Sequence, residues 1–425
     1  MTEKSDTRGI MMLLKLEHLL ILFLRFLLIH GQYGDTAATV DWATQRSIYK
    51  GIYSHYYNNG TPLADIVPVS DLANGALQVN MSMTLASLNG FDAVSGQIDI
   101  SGSMLLEWED EVVASTLVGS LLNTTPGVSA DVLVDYDKAW APNIVLVNAV
   151  DTVKDIGDTS YKLRYSLAYP NTATVNWEPR ILLRASCTPD VTFYPFDRQV
   201  CDFTYTAWGY LSGEITLSVT SSEWDTTAAE ANGVWKIIST ESQTFTTDGS
   251  DYVRFRLTIQ REPLYFTFNI ALPILLLGLL NGFVFLLPAE SGERIGFCIT
   301  CFLSFVVLMQ TTMGFLPEIA SPMSLLCIYV FLMMCFSVFI NITCILMSRI
   351  YQKPAKEKVP NWMKTVVRVV GCQVCRCLQK PPRDPYPEVE WPDVARMLDF
   401  FFFLSFLGSQ ASLTFFFLLP LATRY

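Results

Sequence analysis

One apolar stretch, residues 290–318 (ESGERIGFCITCFLSFVVLMQTTMGFLPE), constrains the fold of this chain more than any other. Its middle runs for about 22 residues without a charge, which is long enough for a helix to cross a bilayer. Spacings of three and four place on one helical stripe Gly296, Thr300, Leu303, Val307, Gln310 and Gly314. Thr and Gln are unfavourable on a lipid-facing surface but favourable on the wall of a water-filled path. A central aliphatic ring can close such a path by dewetting. The stripe alone fits a seam between packed helices equally well.

Apolar residues are concentrated in a few segments. They make up 51% of the chain, and the mean hydropathy of +0.32 is high for a soluble protein. Besides the opening stretch, long apolar runs at about 264–287, 325–350 and 397–421 each predict a membrane-spanning helix. We therefore expect three helices in residues 263–350 and a fourth in residues 397–425.

Residues 1–33 have the features of a secretory signal peptide, since basic residues precede an apolar run at 19–29 and small residues follow it. A retained membrane anchor is the alternative. Export agrees with three predicted glycosylation sites in the next domain, Asn59, Asn80 and Asn123.

Residues 34–262 have the pattern of a β-rich domain preceded by a short helix at about 41–57. Apolar residues alternate with polar ones, as in Val79, Met81, Met83 and Leu85, and turn signals recur along the segment. Many short alternating strands of this kind predict a β-sandwich.

This domain contains two cysteines, Cys187 and Cys201, which are expected to form a disulfide in an exported domain. Closing a loop of that size stabilises the fold by about 3 kcal/mol on the chain-entropy model. The loop contains an apolar tip that is costly to expose to water, so we expect it to dock against an apolar surface. The alternative is a stapled hairpin with no further role.

The segment CTPDVTFYPFDRQVC at 187–201 resembles the signature of the Cys-loop receptors, the pentameric ligand-gated ion channels. WAPNIVLVNAVD (140–151), CDFTYTAWGY (201–210), REPLYFTFNIALP (261–273) and LPAESGERIG (287–296) are similar to nicotinic subunits, and the resemblance extends over 44–421. It implies an extracellular β-sandwich on a four-helix transmembrane bundle, in a pentamer with four further subunits around a central pore in the plasma membrane. It also implies a small extracellular ligand, which the sequence does not identify.

The resemblance implies roles for the stripe. Glu293 would form a ring of carboxylates that selects monovalent cations, with Gly296, Thr300 and Gln310 lining the pore and Leu303 and Val307 closing it. Anion-selective relatives typically carry alanine and an extra proline near Glu293, and this chain has neither change. An anion-selective channel is therefore the less favoured alternative.

The resemblance also implies a junction that couples the two domains. Phe193, Pro195 and Phe196 of the disulfide loop would lie on the linker that carries Pro322. Arg261 matches the family's buried arginine before the first membrane helix, and Asp197 is its expected partner. A second family partner, a glutamate, corresponds to Ala93 here, and we expect the adjacent Asp92 to substitute for it.

The agonist pocket is where the resemblance is weakest. Trp208 and Tyr210 match one wall of the aromatic cage, but Val147 and Ser103 replace a tyrosine and a tryptophan. The segment 244–251 should form a short capping loop, in which Phe245 and Tyr252 are candidate replacement rings. We therefore expect acetylcholine to be a poor agonist. An accessory subunit that functions only in heteromers is the main alternative.

Residues 351–396 are expected to be cytoplasmic, because residues 349–396 hold ten Lys or Arg against five Asp or Glu. Both termini would then be extracellular. The loop includes an amphipathic helix candidate at 358–370 that would lie on membrane lipid. Three cysteines follow this helix, Cys372, Cys375 and Cys377. We expect them to be free thiols or acylated cysteines and not zinc ligands.

Charge and histidine content exclude other classes of function. A net charge of −11 argues against a nucleic-acid partner, since phosphates require a basic patch. The chain has only His18, His30 and His55, so a histidine-based triad or metal cluster cannot be built in its body. We expect no enzyme activity, no metal and no cofactor. A membrane-anchored enzyme is the alternative from a different class.

Overall fold

The computed structural model of the chain describes residues 38–39, 42–58, 61–62, 67–69, 75–118, 128–150, 156, 158–168, 171–230, 232–288, 292–318, 323–354, 357–367 and 389–422. Several predictions fall outside these residues: the signal peptide at 1–33, the sequons at Asn59 and Asn123, Pro322, and the cysteines Cys372, Cys375 and Cys377.

The first helix, α1 (Trp42–Tyr56), agrees with the helix expected at 41–57. Ile48, Ile52 and Tyr56 recur on one side of it and are buried in the core of the domain. The Tyr56 hydroxyl donates a hydrogen bond of 2.6 Å to the buried Asp110 carboxylate. The hydrogen bond between Tyr56 and Asp110 fixes the helix to the sandwich. Burial raises the pKa of Asp110.

The described residues form fourteen strands, one before α1 and thirteen after it. They are β1 (Ala38–Thr39), β2 (Tyr57–Asn58), β3 (Thr61–Pro62), β4 (Leu77–Asp92), β5 (Gln97–Glu109), β6 (Val128–Val134), β7 (Ile144–Leu146), β8 (Leu163–Ala168), β9 (Thr172–Trp177), β10 (Arg180–Ser186), β11 (Arg198–Ala207), β12 (Ile215–Val219), β13 (Trp235–Thr247) and β14 (Ser250–Arg261). Glu111–Val113 and Ala114–Val118 form one short helical segment between β5 and β6.

The strands form two main sheets that enclose one apolar core. The larger has the order β1-β6-β8-β9-β5-β4-β12, with β10 also paired to β5, and the smaller has the order β13-β14-β11-β7. Alternate residues of β4 are buried, as the alternation in its sequence predicts. Asn80, the described sequon residue, lies within β4 and accepts a hydrogen bond from the Ser218 hydroxyl.

In the described part of the chain, four helices are long and apolar enough to cross a membrane: α2 (Leu264–Leu286), α3 (Glu293–Met313), α4 (Leu325–Tyr351) and α5, which runs over Trp391–Ala422. Within α2, a π-helical segment, Thr267–Ala271, precedes Pro273. A π-bulge is one way in which a helix accommodates the missing proline N–H. The β-sandwich with an N-terminal helix and the four apolar helices confirm the predicted fold class.

The fourth membrane helix begins earlier than the sequence pattern predicts, at Trp391 instead of 397. The reason is a small apolar cluster in which Trp391 and Val394 pack with Val359. The Trp391 indole also donates a hydrogen bond of 2.8 Å to the Glu357 carbonyl. Of the amphipathic helix expected at 358–370, residues 361–367 are helical in the described part of the chain.

Candidate functional site

The stripe on α3 is exposed in the single subunit. Leu303 and Val307 are 59% and 57% exposed. Four other residues of this face are also exposed: Glu293, Gly296, Thr300 and Gln310. The opposite face is buried in the bundle and includes Cys298, Cys301, Phe305 and Thr312. One subunit therefore presents a face that is polar at both ends and aliphatic at its centre.

Arg294 follows Glu293 but points into the bundle. Its side chain is 1% exposed and makes two hydrogen bonds, of 2.9 and 2.6 Å, to the Asp399 carboxylate on α5. The guanidinium also lies 5.5 Å from the centre of the Phe285 ring. Sequence reasoning missed this pair. The signal was Asp399 itself, because a carboxylate inside an apolar span is costly without a partner.

The predicted disulfide between Cys187 and Cys201 is present, and the loop that it closes lies against the helices. The N–H of Leu325, at the start of α4, donates a hydrogen bond of 3.0 Å to the Thr192 carbonyl of the loop. Tyr194 is buried and packs edge to face on Phe266 of α2. Burial raises the pKa of the Tyr194 hydroxyl. Phe193 and Phe196 are half-buried, and Pro195 is buried.

Arg261, the last residue of β14, makes the ion pair expected with Asp197. The guanidinium donates two hydrogen bonds, of 2.7 and 3.1 Å, and both residues are buried. The Gln199 amide donates a further hydrogen bond of 2.7 Å to the same carboxylate. A paired and hydrogen-bonded charge is the form in which an ion can be buried without a large penalty.

Asp92 lies in the turn between β4 and β5 and uses its carboxylate locally. It accepts hydrogen bonds from the Val94 N–H at 2.9 Å and from the Ser95 hydroxyl at 2.6 Å. The Ser95 and Val94 bonds lower the pKa of Asp92. The Asp92 carboxylate makes these local hydrogen bonds and not the expected ion pair with Arg261. The adjacent Ala93 is buried.

The candidate ligand-binding residues are divided between the two sheets. Trp208 is 61% exposed, so it does not fill the core. Val147, just after β7, is also exposed, but it lies opposite Thr204, whereas Trp208 lies opposite Asn143 at the other end of the β7–β11 pairing. Tyr252 is paired across strands with Thr206 and Phe245, which places these residues on the same face of the smaller sheet. Tyr210 is half-buried in the loop after Trp208.

Ser103 lies apart from this group on β5 of the larger sheet. Its hydroxyl donates a hydrogen bond of 3.1 Å to the Glu178 carboxylate. A site that includes both Ser103 and Trp208 therefore requires residues from both sheets.

The segment 244–251, expected to be a capping loop, is instead the end of a β-hairpin. β13 continues to Thr247 and β14 starts at Ser250, so that only a two-residue turn joins them. Asp248 and Gly249 have φ of 52° and 76°, as a tight hairpin turn of this kind requires. The expectation was wrong in extent because the turn residues allow the strands to pair up to their ends.

Phe245 and Tyr252 stack with their ring centres 5.3 Å apart, and a cation already covers this pair. The Arg254 guanidinium lies 4.5 Å from the centre of the Phe245 ring. Its Nε atom is 3.5 Å from the Asp202 carboxylate, which is bound more closely by Arg256 at 2.7 Å.

A β-sandwich whose disulfide loop docks on a bundle of four apolar helices, one with an uncovered polar stripe, defines a class of multi-pass membrane receptors. The chain matches the neurotransmitter-gated ion-channel ligand binding domain over residues 45–263 and the neurotransmitter-gated ion-channel transmembrane region over residues 270–411. It belongs to the neurotransmitter-gated ion-channel family, whose members are ligand-gated channels and not enzymes.

The chain is similar to acetylcholine receptor subunits. It is 30% identical over 249 residues to the beta-type subunit lev-1 of Caenorhabditis elegans, covering 58% of this chain and 48% of the relative. It is 27% identical over 303 residues to the beta-type subunit unc-29 of Caenorhabditis elegans (71% and 59%). It is 26% identical over 339 residues to the neuronal alpha-6 subunit of Homo sapiens (77% and 64%). The chain thus spans between about half and just under two thirds of these relatives.

Proposed function

We propose that this chain is a subunit of a cation-selective, pentameric ligand-gated channel of nicotinic type. The observation that carries the proposal is the uncovered stripe of α3, which is polar at its ends and aliphatic at Leu303 and Val307. Five such helices around one axis would line a pore in which the aliphatic rings close the path by dewetting. Cation selectivity would come from the ring of Glu293 carboxylates.

The domain boundaries follow from this assignment. Residues 34–262 form the extracellular domain, residues 263–350 and 397–425 the membrane helices, and residues 351–396 the short cytoplasmic loop. Both termini are extracellular, and the receptor lies in the plasma membrane with four further subunits. The glycosylation sites Asn59, Asn80 and Asn123 would face the outside in this orientation.

The ligand is a small extracellular molecule that is not held as a quaternary ammonium is held in a full aromatic cage. Val147 and Ser103 remove two of the expected rings, and the Phe245 ring is covered by Arg254. These features support a poor response to acetylcholine. They also favour a second candidate, an accessory subunit that assembles only with other subunits and contributes its Glu293 and Leu303 to a mixed pore.

The experiment that tests the pore is current recording from cells that express this chain alone, as wild type or as Leu303→Thr. A hydroxyl in the aliphatic ring should wet the closed pore and give a standing current without agonist. The matched control is Leu404→Thr, because Leu404 is similarly exposed, at 52%, but lies on α5. Surface labelling of each variant shows how much protein reaches the membrane.

A standing current in Leu303→Thr alone, with a reversal potential that follows the sodium gradient, would support the homomeric cation pore. Reversal that follows chloride would contradict the role of Glu293. Surface protein without current would contradict a homomeric pore gated at Leu303 and favour the accessory subunit.

A further inference from the structure

The guanidinium of Arg261 lies in a cage of three aromatic rings in addition to its ion pair with Asp197. The ring centres of Trp235, Tyr194 and Phe266 are 4.2, 5.0 and 5.1 Å from the guanidinium carbon. Cations are attracted to aromatic faces at these distances, most strongly to tryptophan and most of all where water is excluded. Trp235 is the closest of the three and is buried.

Trp235 is held against Arg261 by the backbone as well as by the ring contact. The two residues are paired directly across β13 and β14. The Asn232 side chain accepts a hydrogen bond of 3.0 Å from the Trp235 N–H and donates one of 2.8 Å to the Leu88 carbonyl of β4. The position of this indole is therefore tied to both sheets.

Trp235 also contacts the end of β4, next to the turn between β4 and β5. Phe91, at the end of β4, packs edge to face on Trp235 with the ring centres 5.4 Å apart. The next two residues are Asp92 and Ala93. The Asp92 carboxylate accepts hydrogen bonds within its own turn and not from Arg261, and Ala93 has no carboxylate. The described contact from this turn to Arg261 thus passes through two rings.

The contacts continue from Arg261 to the end of the stripe helix. Phe266 of α2 is in the cage and packs edge to face on Phe315, just after α3, at 6.4 Å. The rings of Phe91, Trp235, Phe266 and Phe315, with Arg261 among them, form a continuous path that we name the ring path. It runs from a turn of the sandwich to the outer end of the proposed pore helix.

We propose that Phe91 and Trp235 are positioning residues for gating, which hold Arg261 through aromatic contacts where a carboxylate from the same turn would otherwise do so. This inference rests on the proposed channel function and deepens it. In this chain a movement of the β4–β5 turn reaches the membrane helices as a displacement of packed rings. An ion pair from the turn is not required.

The test compares Trp235→Leu, which removes the ring, with Trp235→Phe, which keeps one. The matched control is Trp224→Leu, because Trp224 is also buried and also packs edge to face on two rings, those of Phe203 and Phe255. In the Leu303→Thr background we expect Trp235→Leu to change the standing current per surface subunit at least about fivefold. Trp235→Phe and Trp224→Leu should change this current less than about twofold. These limits follow from the free energy of a cation–π contact, about 0.5–2 kcal/mol.

A second measurement needs no current and therefore separates this proposal from the channel assignment. Met323, just before α4, is 55% exposed, and Met323→Cys can be labelled by a membrane-impermeant maleimide on intact cells. We expect Phe91→Leu and Trp235→Leu to change the labelling rate similarly, and the double variant to add nothing, because the two rings act in series. The parent chain without Met323→Cys gives the background.

Equal effects of Trp235→Leu and Trp224→Leu on both readouts would overturn the proposal, since they would show loss of packing alone. Additive effects of Phe91→Leu and Trp235→Leu would also overturn it. If Trp235→Leu does not reach the surface, Phe91→Leu and Phe91→Tyr make the same comparison, and only the variant that keeps a ring should match the parent. A parent Leu303→Thr chain without current, with labelling still sensitive to Phe91, would contradict the homomeric pore and support the ring path.

Discussion

The Arg254 guanidinium lies over the Phe245 ring, one of the proposed ligand-binding rings. It lies 4.5 Å from the Phe245 ring centre, while Tyr252 stacks on the same ring. Arg254 also shares the Asp202 carboxylate with Arg256, which makes the shorter contacts. An ammonium ligand at the proposed site would therefore compete with this arginine for the same aromatic surface.

We expect Arg254→Gln to increase the affinity for tetramethylammonium by about 2- to 30-fold, because a cation–π contact is worth about 0.5–2 kcal/mol. The measurement is the dependence of thermal stability on tetramethylammonium concentration for the purified chain. Arg256→Gln is the control, since that arginine is paired with Asp202 two residues along β14. Equal behaviour of the two variants would show that Arg254 does not restrict the site.

At the scale of elements, the pair Arg294–Asp399 joins the N-terminal end of α3 to α5. Both side chains are nearly inaccessible, at 1% and 9% exposure, and the carboxylate is bound by two guanidinium nitrogens. Removal of one partner from a buried pair costs about 3–5 kcal/mol, because the remaining charge is left without compensation. The pair thus directs the Arg294 guanidinium into the bundle, away from the exposed face that carries Glu293.

We therefore expect Asp399→Asn to lower the thermal stability and the surface level of the chain severely. The reversed pair Arg294→Asp with Asp399→Arg should restore much of both, whereas either reversal alone should not. Asp393→Asn is the control, because Asp393 and Arg396 form an exposed pair on the same helix with a long distance of 3.9 Å. Such a pair is worth about 0–1 kcal/mol. A double reversal no better than the single ones would show that the charges are not coupled.

The elements that the sequence predicts correctly are those with a local periodic signal. The stripe of α3 and the alternation of β4 depend only on spacing along the chain, so they could be placed before the structure was known. The pairs Arg294–Asp399 and Trp235–Arg261 could not, because they depend on which helices or strands become neighbours. The hairpin at 244–251 shows the same limit. Its turn residues were visible, but the strand register that shortens the loop is a tertiary property.

At the scale of the whole molecule, any charge on the stripe is repeated five times around the proposed pore. Glu293 is exposed at the N-terminal end of α3, whereas Arg294 is buried and paired with Asp399. The exposed residue of the two, which would face the proposed pore, is therefore acidic, although the sequence places a glutamate and an arginine side by side. A ring of carboxylates attracts cations and repels anions at the point where the path is entered.

We expect Glu293→Gln, in the Leu303→Thr background, to lower the ratio of sodium to chloride permeability at least about fivefold, because a charge pair 4 Å apart in water is worth about 1 kcal/mol. The measurement is the shift of the reversal potential when external sodium chloride is diluted. Glu390→Gln is the control, since Glu390 is an exposed carboxylate just before α5 and away from the stripe. If both variants keep the parent's reversal potential, selectivity does not arise at Glu293. If only Glu293→Gln moves toward the chloride potential, the acidic ring is the selective element and the stripe of α3 is the wall of the pore.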